Sequence, residues 1–445
     1  MNTAATALET TYVDDGQPGR EARGRQIASA GGIRKVGRKF AVPSQSGAAS
    51  AYIVDIIEGS CTCPDHELRG RGPSALRCKH QEAVWFSIAW ESSVDADGAK
   101  TETVTVKRKT CPPRDWTAYN AAAVAEGEYV ERLLRALCDG IPQPPRKPGP
   151  GRKPIPLRDA AFQAVWKVFT GMSQRRAQSD IRDCASRGNL DRVGHFNTIS
   201  NFLADEESTA ILVSLIEESA KPLATIENGQ FAIDSTGFST VTYDRWFDQK
   251  HGKLMAKHPW VKLHVMVGTA THAITGVKVS SEGDCPQLPA LLKQTMQNFN
   301  VREVSADKAY SSKNNLEECE RFGVEPFIPF KIDAVIDPKN ETWTRHLTEF
   351  LCNQARFLPH YHRRSNVESV MWMVKSKFGG AVRSKTPTAQ LNEVLAKCLL
   401  HNLACLVNAI FTAGLAPRFW QDAAPAPTGR PTLTLVPPVA PAVEA

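Results

Sequence analysis

Three carboxylates stand where they could do chemistry. Asp234 ends an alternating run in FAIDSTGF, Asp307 ends another in VSADKAY, and Glu368 follows the basic string YHRRSN. Strand ends in α/β sheets are where ligand and metal sites collect. Three carboxylates can hold two Mg2+ ions through hard oxygen ligands. Two ions about 3.5–4 Å apart activate an attacking oxygen and stabilise a leaving oxygen in phosphodiester chemistry. Spacing alone does not decide this, because strand-terminal Asp is common in turns. The neighbourhood of Glu368 adds to it. Tyr361, Arg364, Glu368 and Lys375 are spaced to share a narrow arc of one helix. An Arg and a Lys beside such a carboxylate suit DNA phosphates. Val367, Val370, Met371, Val374 and Phe378 form the adjacent apolar stripe that would anchor this helix. Ser365-x-x-Glu368 also reads as a capping box. A helix starting at Asn366 would leave Tyr361 and Arg364 ahead of it.

A second cluster lies near the N-terminus. CTCPDHELRGRGPSALRCKH carries Cys61, Cys63, Cys78 and His80, a C-x-C followed after fourteen residues by C-x-H. On a strand, positions i and i+2 point to one face, so each pair can converge. Three thiolates and one imidazole complete a tetrahedral shell for structural Zn2+ and leave no open position for catalysis. His66 is a nearby competitor outside this spacing.

These groups need elements to position them. The chain has 445 residues, 42% apolar and 23% charged, which excludes wholesale disorder and allows about three domains. Met1–Arg20 has no apolar core and does not read as a secretory signal. The apolar stretch from Leu395 to Ala416 is interrupted by Lys397, His401, Asn402 and Asn408, so it reads as a buried amphipathic helix and not a membrane span. Eleven cysteines, mostly scattered, fit a reduced cytoplasmic compartment. The expected divisions are a disordered tail over 1–30 and a compact unit over 31–100 with strands at 39–42 and 52–57 and a helix at 81–90. A connecting segment follows over 101–140. Seven of the sixteen residues at 141–156 are Pro, which marks a linker. A helical region spans 157–225. Residues 140–195 hold eleven Lys and Arg against four Asp, as many net charges as the whole chain's +7. Such concentration points to a polyanion partner.

Residues 226–415 change rhythm. A strand at 230–235, a hairpin over 260–267 and 273–280, an amphipathic helix from Leu288, a strand at 301–307, a helix at 313–322 and a strand at 324–330 describe a mixed α/β sheet with right-handed crossovers. From Thr342 the pattern is helical, and residues 416–445 read as a Pro- and Ala-rich disordered tail. Lesser signals sit beside these. Lys262 and His264 alternate on a strand and face either the site or solvent. Trp343 is a stacking or a core residue. His258, His360 and His362 read as surface residues. GRKP at 151 is a faint minor-groove string. Residues 198–203 could belong to a recognition helix, without clean helix-turn-helix spacing.

Two resemblances follow. Residues 31–92 resemble the SWIM zinc finger, whose modules bind DNA or proteins. Residues 150–412 resemble the DDE transposases of bacterial insertion sequences, through the Y-R-E-K signature, DSTG at 234, DKAY at 307 and WVKLHVMV at 260. That resemblance implies a ribonuclease-H-like core with Asp234, Asp307 and Glu368 holding Mg2+ or Mn2+. It implies DNA or phosphate contacts from Tyr361, Arg364 and Lys375. The implied activity is metal-dependent cleavage that leaves a 3′-OH, then strand transfer into target DNA. The partners would be double-stranded DNA, as terminal inverted repeats and target, and further copies of the chain in a dimeric or larger synaptic complex. The implied location is cytoplasmic, at the nucleoid, with no membrane. The 60 residues between Asp307 and Glu368 leave little room for a large β insertion. The rival functions are a catalytically silent, domesticated DNA-binding protein and a nuclease that cuts without joining.

Overall fold

The computed structural model describes residues 18–36, 39–45, 51–55, 58–69, 77–88, 90–94, 100–104, 115–144, 154–240 and 260–421. The chain divides into two units, Met1–Pro113 and Arg114–Ala445.

In the first unit, α1 (Pro18–Ala30) precedes strands β1 (Arg34–Val36), β2 (Lys39–Pro43), β3 (Ala51–Asp55) and β4 (Ser60–Cys61), paired in that order and antiparallel. Helices α2 (Pro64–Arg69) and α3 (Lys79–Ile88) follow, then the hairpin β5 (Trp90–Val94) and β6 (Lys100–Val104). Residues 18–30 are therefore a helix, where a tail was expected. Ile27 is buried, and Arg20 pairs with Asp65 at 3.0 Å. Gly24 permits the contact, since a Cβ there would meet Glu82 Cβ on α3 at 2.6 Å. Apart from its cysteines, the described core of this unit is small: Ile27, Val42, Val54, Ala83 and Val84.

The second unit opens with α4 (Trp116–Asp139), capped by Asp115, whose carboxylate accepts from Ala118 N. Its Val130, Leu133, Leu134 and Leu137 are buried, so the expected connecting segment is a core helix. Helices α5 (Leu157–Thr170), α6 (Ala177–Ser186), α7 (Phe196–Ala204) and α8 (Glu207–Ala220) follow. The Pro-rich linker is anchored at both ends: Ile141 is buried, and Gln143 Oε1 accepts from Leu157 N at 2.7 Å. Residues 145–153, including most of GRKP, lie outside the described residues, as does His258.

The sheet comprises β7 (Gln230–Ser239), β8 (Trp260–Gly268), β9 (Ile274–Val279), β10 (Glu303–Ala306) and β11 (Glu325–Phe327), in the order β11-β10-β7-β8-β9. β7, β8 and β9 form an antiparallel meander, while β10 lies parallel to both β7 and β11. Helix α9 (Leu288–Met296) crosses between β9 and β10, and α10 (Lys313–Arg321) between β10 and β11. Then come α11 (Glu341–Cys352), α12 (Gln354–Tyr361), a 3-10 turn at His362–Arg364, α13 (Ser365–Phe378) and α14 (Pro387–Ala413).

Strand alternation splits the core across the sheet. Ala232, Phe238, Leu263 and Val265 face α4, α5, α7, α8, α13 and α14. Phe231, Ile233, Met266 and Val304 face α9 and α10. The helical region and one sheet face therefore share a single core and are not separate domains. α14 is long and apolar enough to cross a membrane, but 78% of its most apolar window is buried within this unit. The polar residue Asn402 on α14 ties the layers together. Its side chain accepts from Ile274 N at 2.8 Å and donates to Ile274 O at 2.9 Å, Ser219 Oγ at 3.1 Å and Ile216 O at 3.2 Å. Order also extends past 416. Trp420 donates from its indole to Leu137 O at 3.1 Å, and Phe419 packs on the core.

Candidate active site

Register brings the two strand-end aspartates together. β10 pairs with β7 as Ala306↔Ile233, so the next positions along the two parallel strands are Asp307 and Asp234. Alternation turns Asp234, Thr236 and Phe238 toward α13. Asp234 Oδ1 accepts from Ser235 N at 2.8 Å, and Oδ2 pairs with Arg364 Nη1 at 3.2 Å. The other end of that guanidinium, Nη2, holds Glu368 Oε1 at 2.7 Å. Arg364 thus bridges the first aspartate and the helical glutamate. Asp307 begins the turn at 308–310, its Oδ1 accepting from Lys308 N at 2.6 Å. Lys375 Nζ donates to Thr236 Oγ1 at 2.6 Å, two positions along β7 from Asp234.

The capping box does not form. Ser365 Oγ donates to His362 O at 2.9 Å, and Glu368 turns to Arg364. The chain runs from α12 through a single 3-10 turn into α13 without an N-cap break. Val367, Val370, Met371 and Val374 are buried as the anchoring stripe. Tyr361 stacks on Phe357 at 6.1 Å between ring centroids.

Electrostatics follow from the crowding. Burial pushes the Asp234 carboxyl above its usual range, and the charges of Asp307 and Glu368 add to this against Arg364 and the Ser235 amide. A carboxyl raised by its neighbours' negative charges favours a cation beside it. Tyr310, wholly buried after Asp307, has a hydroxyl with no hydrogen-bond partner among the described residues. Burial raises it, and the carboxylates of Asp284, Asp234 and Asp307 raise it further.

Lys262 and His264 point to the other face. Register pairs His264 with Ser235 and Lys262 with Gly237, one position out of phase with Asp234. There Asp284 meets Lys262 Nζ at 2.9 Å and His264 Nδ1 at 3.3 Å. His264 is fully buried, and burial followed by the Lys262 charge pushes its imidazole down. Asp284, which leads the helix whose resemblance to the family's intervening segments was legible in the sequence, therefore approaches the site from behind β7. Trp372, one turn after Glu368, is 69% exposed. Trp343 is structural: its indole donates to Val335 O at 2.8 Å and its ring meets Phe330 edge-on. His360 is structural as well, pairing with Glu303 at 2.8 Å and stacking on Phe327. The 198–203 segment lies in α7, with Ile199, Phe202 and Leu203 buried.

In the first unit, one donor atom each from Cys61, Cys63, Cys78 and His80 gather within 4.8 Å of one another, and all four residues are buried. Among the described residues, neither ring nitrogen of His80 has a hydrogen-bond partner outside the cluster. The Cys78 thiol is pushed down to about 3, chiefly by hydrogen bonding from Cys61, while Cys61 is pushed up by the same bond. One proton shared between two sulfurs shifts them oppositely, and a soft cation would relieve all three thiols. An orphaned imidazole beside three converging thiols has the donor set of a closed zinc site. His66 is not in the cluster.

Residues 227–403 match the family model of the transposase DDE domain. The matched span begins just before β7, ends within α14 and contains Asp234, Asp307, Tyr361, Arg364, Glu368 and Lys375. That part of the chain is similar to the DDE transposases, which supports transposase activity and DNA as the partner.

Proposed function

We propose that this chain is a DNA transposase that binds the ends of a mobile element, cuts a phosphodiester bond and joins the resulting 3′-OH to target DNA. The observation that carries this reading is the bridge of Arg364 between Asp234 and Glu368, with Asp307 at the next strand end. The strand order, an antiparallel meander followed by two parallel strands, supports a ribonuclease-H-like core. Asp234, Asp307 and Glu368 would hold Mg2+ or Mn2+, which when bound supplies activation of the attacking oxygen and stabilisation of the leaving one. Arg364 has five N–H donors, and two carboxylate contacts leave donors for a phosphate. Lys375 spends one ammonium proton on Thr236 and keeps two for the same use. Tyr361 would line the approach to Arg364. The Cys61, Cys63, Cys78 and His80 set would hold a structural Zn2+ in a SWIM-like module, and copies of the chain would pair the two element ends.

A joining assay tests this. Labelled duplexes carrying the element's ends are incubated with the full chain and Mg2+ or Mn2+. Strand transfer yields products longer than any input strand. Shortened products alone would make the chain a nuclease, and binding with unaltered strands would make it a silent DNA-binding protein.

A further inference from the structure

Beyond Lys375, the C-terminus of α13 borders a cavity of about 220 Å3 that no step above uses. Its floor carries Lys167 from α5 and Lys397 and Glu393 from α14, at 6%, 1% and 3% exposure, and Arg383 stands at its exposed rim. Gly171 and Gly379 also border it, with φ of 64° and 82°, conformations that L side chains rarely adopt. That stretch of rim is therefore kept free of side chains.

Three cations surround one carboxylate, whose hydrogen bonds go to the Arg383–Ser384 turn. Glu393 accepts from Arg383 N at 3.0 Å, Ser384 N at 2.8 Å and Ser384 Oγ at 2.7 Å. Lys397 Nζ donates to Gly379 O at 2.8 Å and Ala381 O at 2.7 Å, which leaves one N–H. Arg383 Nη1 donates to Gly171 O, which leaves the rest of its guanidinium. Lys167 makes no side-chain hydrogen bond or ion pair among the described residues. Its nearby counter-charge is Glu393, which Lys397 and Arg383 also surround, so the cluster keeps an excess of buried positive charge that an anion in the cavity would offset. Burial pushes Lys397 down to about 8 and lowers Lys167, in each case against the opposing charge of Glu393.

The cavity continues the line of the active site. Asp234, Thr236 and Phe238 follow one another on one face of β7. Lys375 holds Thr236, and the Phe238 ring has Lys375 Nζ at 5.4 Å and Lys397 Nζ at 5.3 Å from its centroid. One aromatic ring therefore joins the last phosphate-holding group of the site to the cavity floor.

From this we infer that the cavity is a phosphate site, in which Lys167, Lys397 and Arg383 seat one backbone phosphate of the DNA strand lying at Asp234, Asp307 and Glu368. The inference rests on the DNA reading above. It gives that strand a fixed register beyond the point of chemistry.

The test uses the full chain with Lys167→Met, which keeps most of the stem and removes the charge. Duplexes carrying the element's end are made with one neutral methylphosphonate at successive positions, and their binding is measured. For wild type, one position outside the scissile phosphate should weaken binding and lower the slope of log K against log salt by about 0.9. Lys167→Met should lose the same slope on unmodified DNA and nothing more at that position. The wild-type scan alone keeps the test valid if the variant misfolds. No sensitive position, or variant and methylphosphonate losses that multiply at every position, would overturn the inference. Inorganic phosphate is titrated separately by 31P NMR at fixed ionic strength. Phosphate binding that Lys167→Met abolishes, without any sensitive DNA position, would make this a site for free phosphate and overturn the DNA assignment. Absence of DNA binding altogether would sink the transposase reading itself, while the phosphate arm would still report on the cavity.

Discussion

Replacing Cys78 by Ser should unmake the first unit and leave the second standing. Cys78 is buried, its thiol is the one driven lowest, and it lies among Cys61, Cys63 and His80 within 4.8 Å. Without these ligands the fully buried apolar core is four branched aliphatic side chains and one alanine, with Ile33, Phe40 and Tyr52 packed against it. Burying one such branched side chain contributes about 1.5–3 kcal/mol, so all four together reach roughly 6–12 kcal/mol before any conformational entropy is charged against them. Structural zinc in small domains binds with about 10–16 kcal/mol. The metal thus contributes as much as those side chains or more, and a three-ligand remnant should not hold the fold. Wild type should carry one zinc per chain by elemental analysis, and Cys78→Ser almost none. Limited proteolysis of the variant should cut within residues 18–104, while the fragment from about 115 onward resists and melts as in wild type, since its core is separate. Zinc-free wild type with an intact protease pattern across 18–104 would refute this reasoning.

Three further outcomes are expected. Asn402→Leu strips the side-chain partner from both backbone groups of Ile274, while Ile216 O keeps Ser219 Oγ at 2.7 Å, and should lower urea-derived stability by roughly 2–6 kcal/mol, at about 1–3 kcal/mol per unsatisfied group; a loss under about 1 kcal/mol would show that the network contributes little. Burial raises Glu393, but the Lys167 charge, the Ser384 hydroxyl and the Arg383 and Ser384 amides outweigh it and hold the carboxyl below 4.5. A depressed folded value means that Glu393 stabilises above 4.5 and that this is lost as pH falls below it, so Glu393→Gln should flatten the acid limb of the stability curve, and an unchanged limb would contradict the assignment. Arg364→Ala should lower the salt slope of binding to element ends by about 0.9, and equal losses on random DNA would deny it an end-specific role.

The sequence made the carboxylates and the Cys-x-Cys…Cys-x-His string legible because each rests on local spacing. Alternation and the 3.6 period gave the meander, the crossover helix and the buried stripe of α13. Long-range pairing escaped it. The face of β8 that carries Lys262 and His264 depends on register with β7, and only the fold sets that. The helix at 18–30 was hidden because its polar surface outweighs one buried Ile27, with Gly24 marking a close approach and not a break. The ambiguity of Ser365 and Glu368 was likewise tertiary: Arg364, held against Asp234, draws Glu368 away from the helix start.

The most direct measurement maps strand breaks and joints at nucleotide resolution on DNA carrying this chain's coding region and its flanks. Wild type and Glu368→Gln are compared with Mg2+ or Mn2+ present. The account predicts metal-dependent breaks at two inverted flanking sequences, and joints to new DNA, in wild type alone. Occupancy of the same sequences by both proteins, with no strand broken or joined by either, would contradict it.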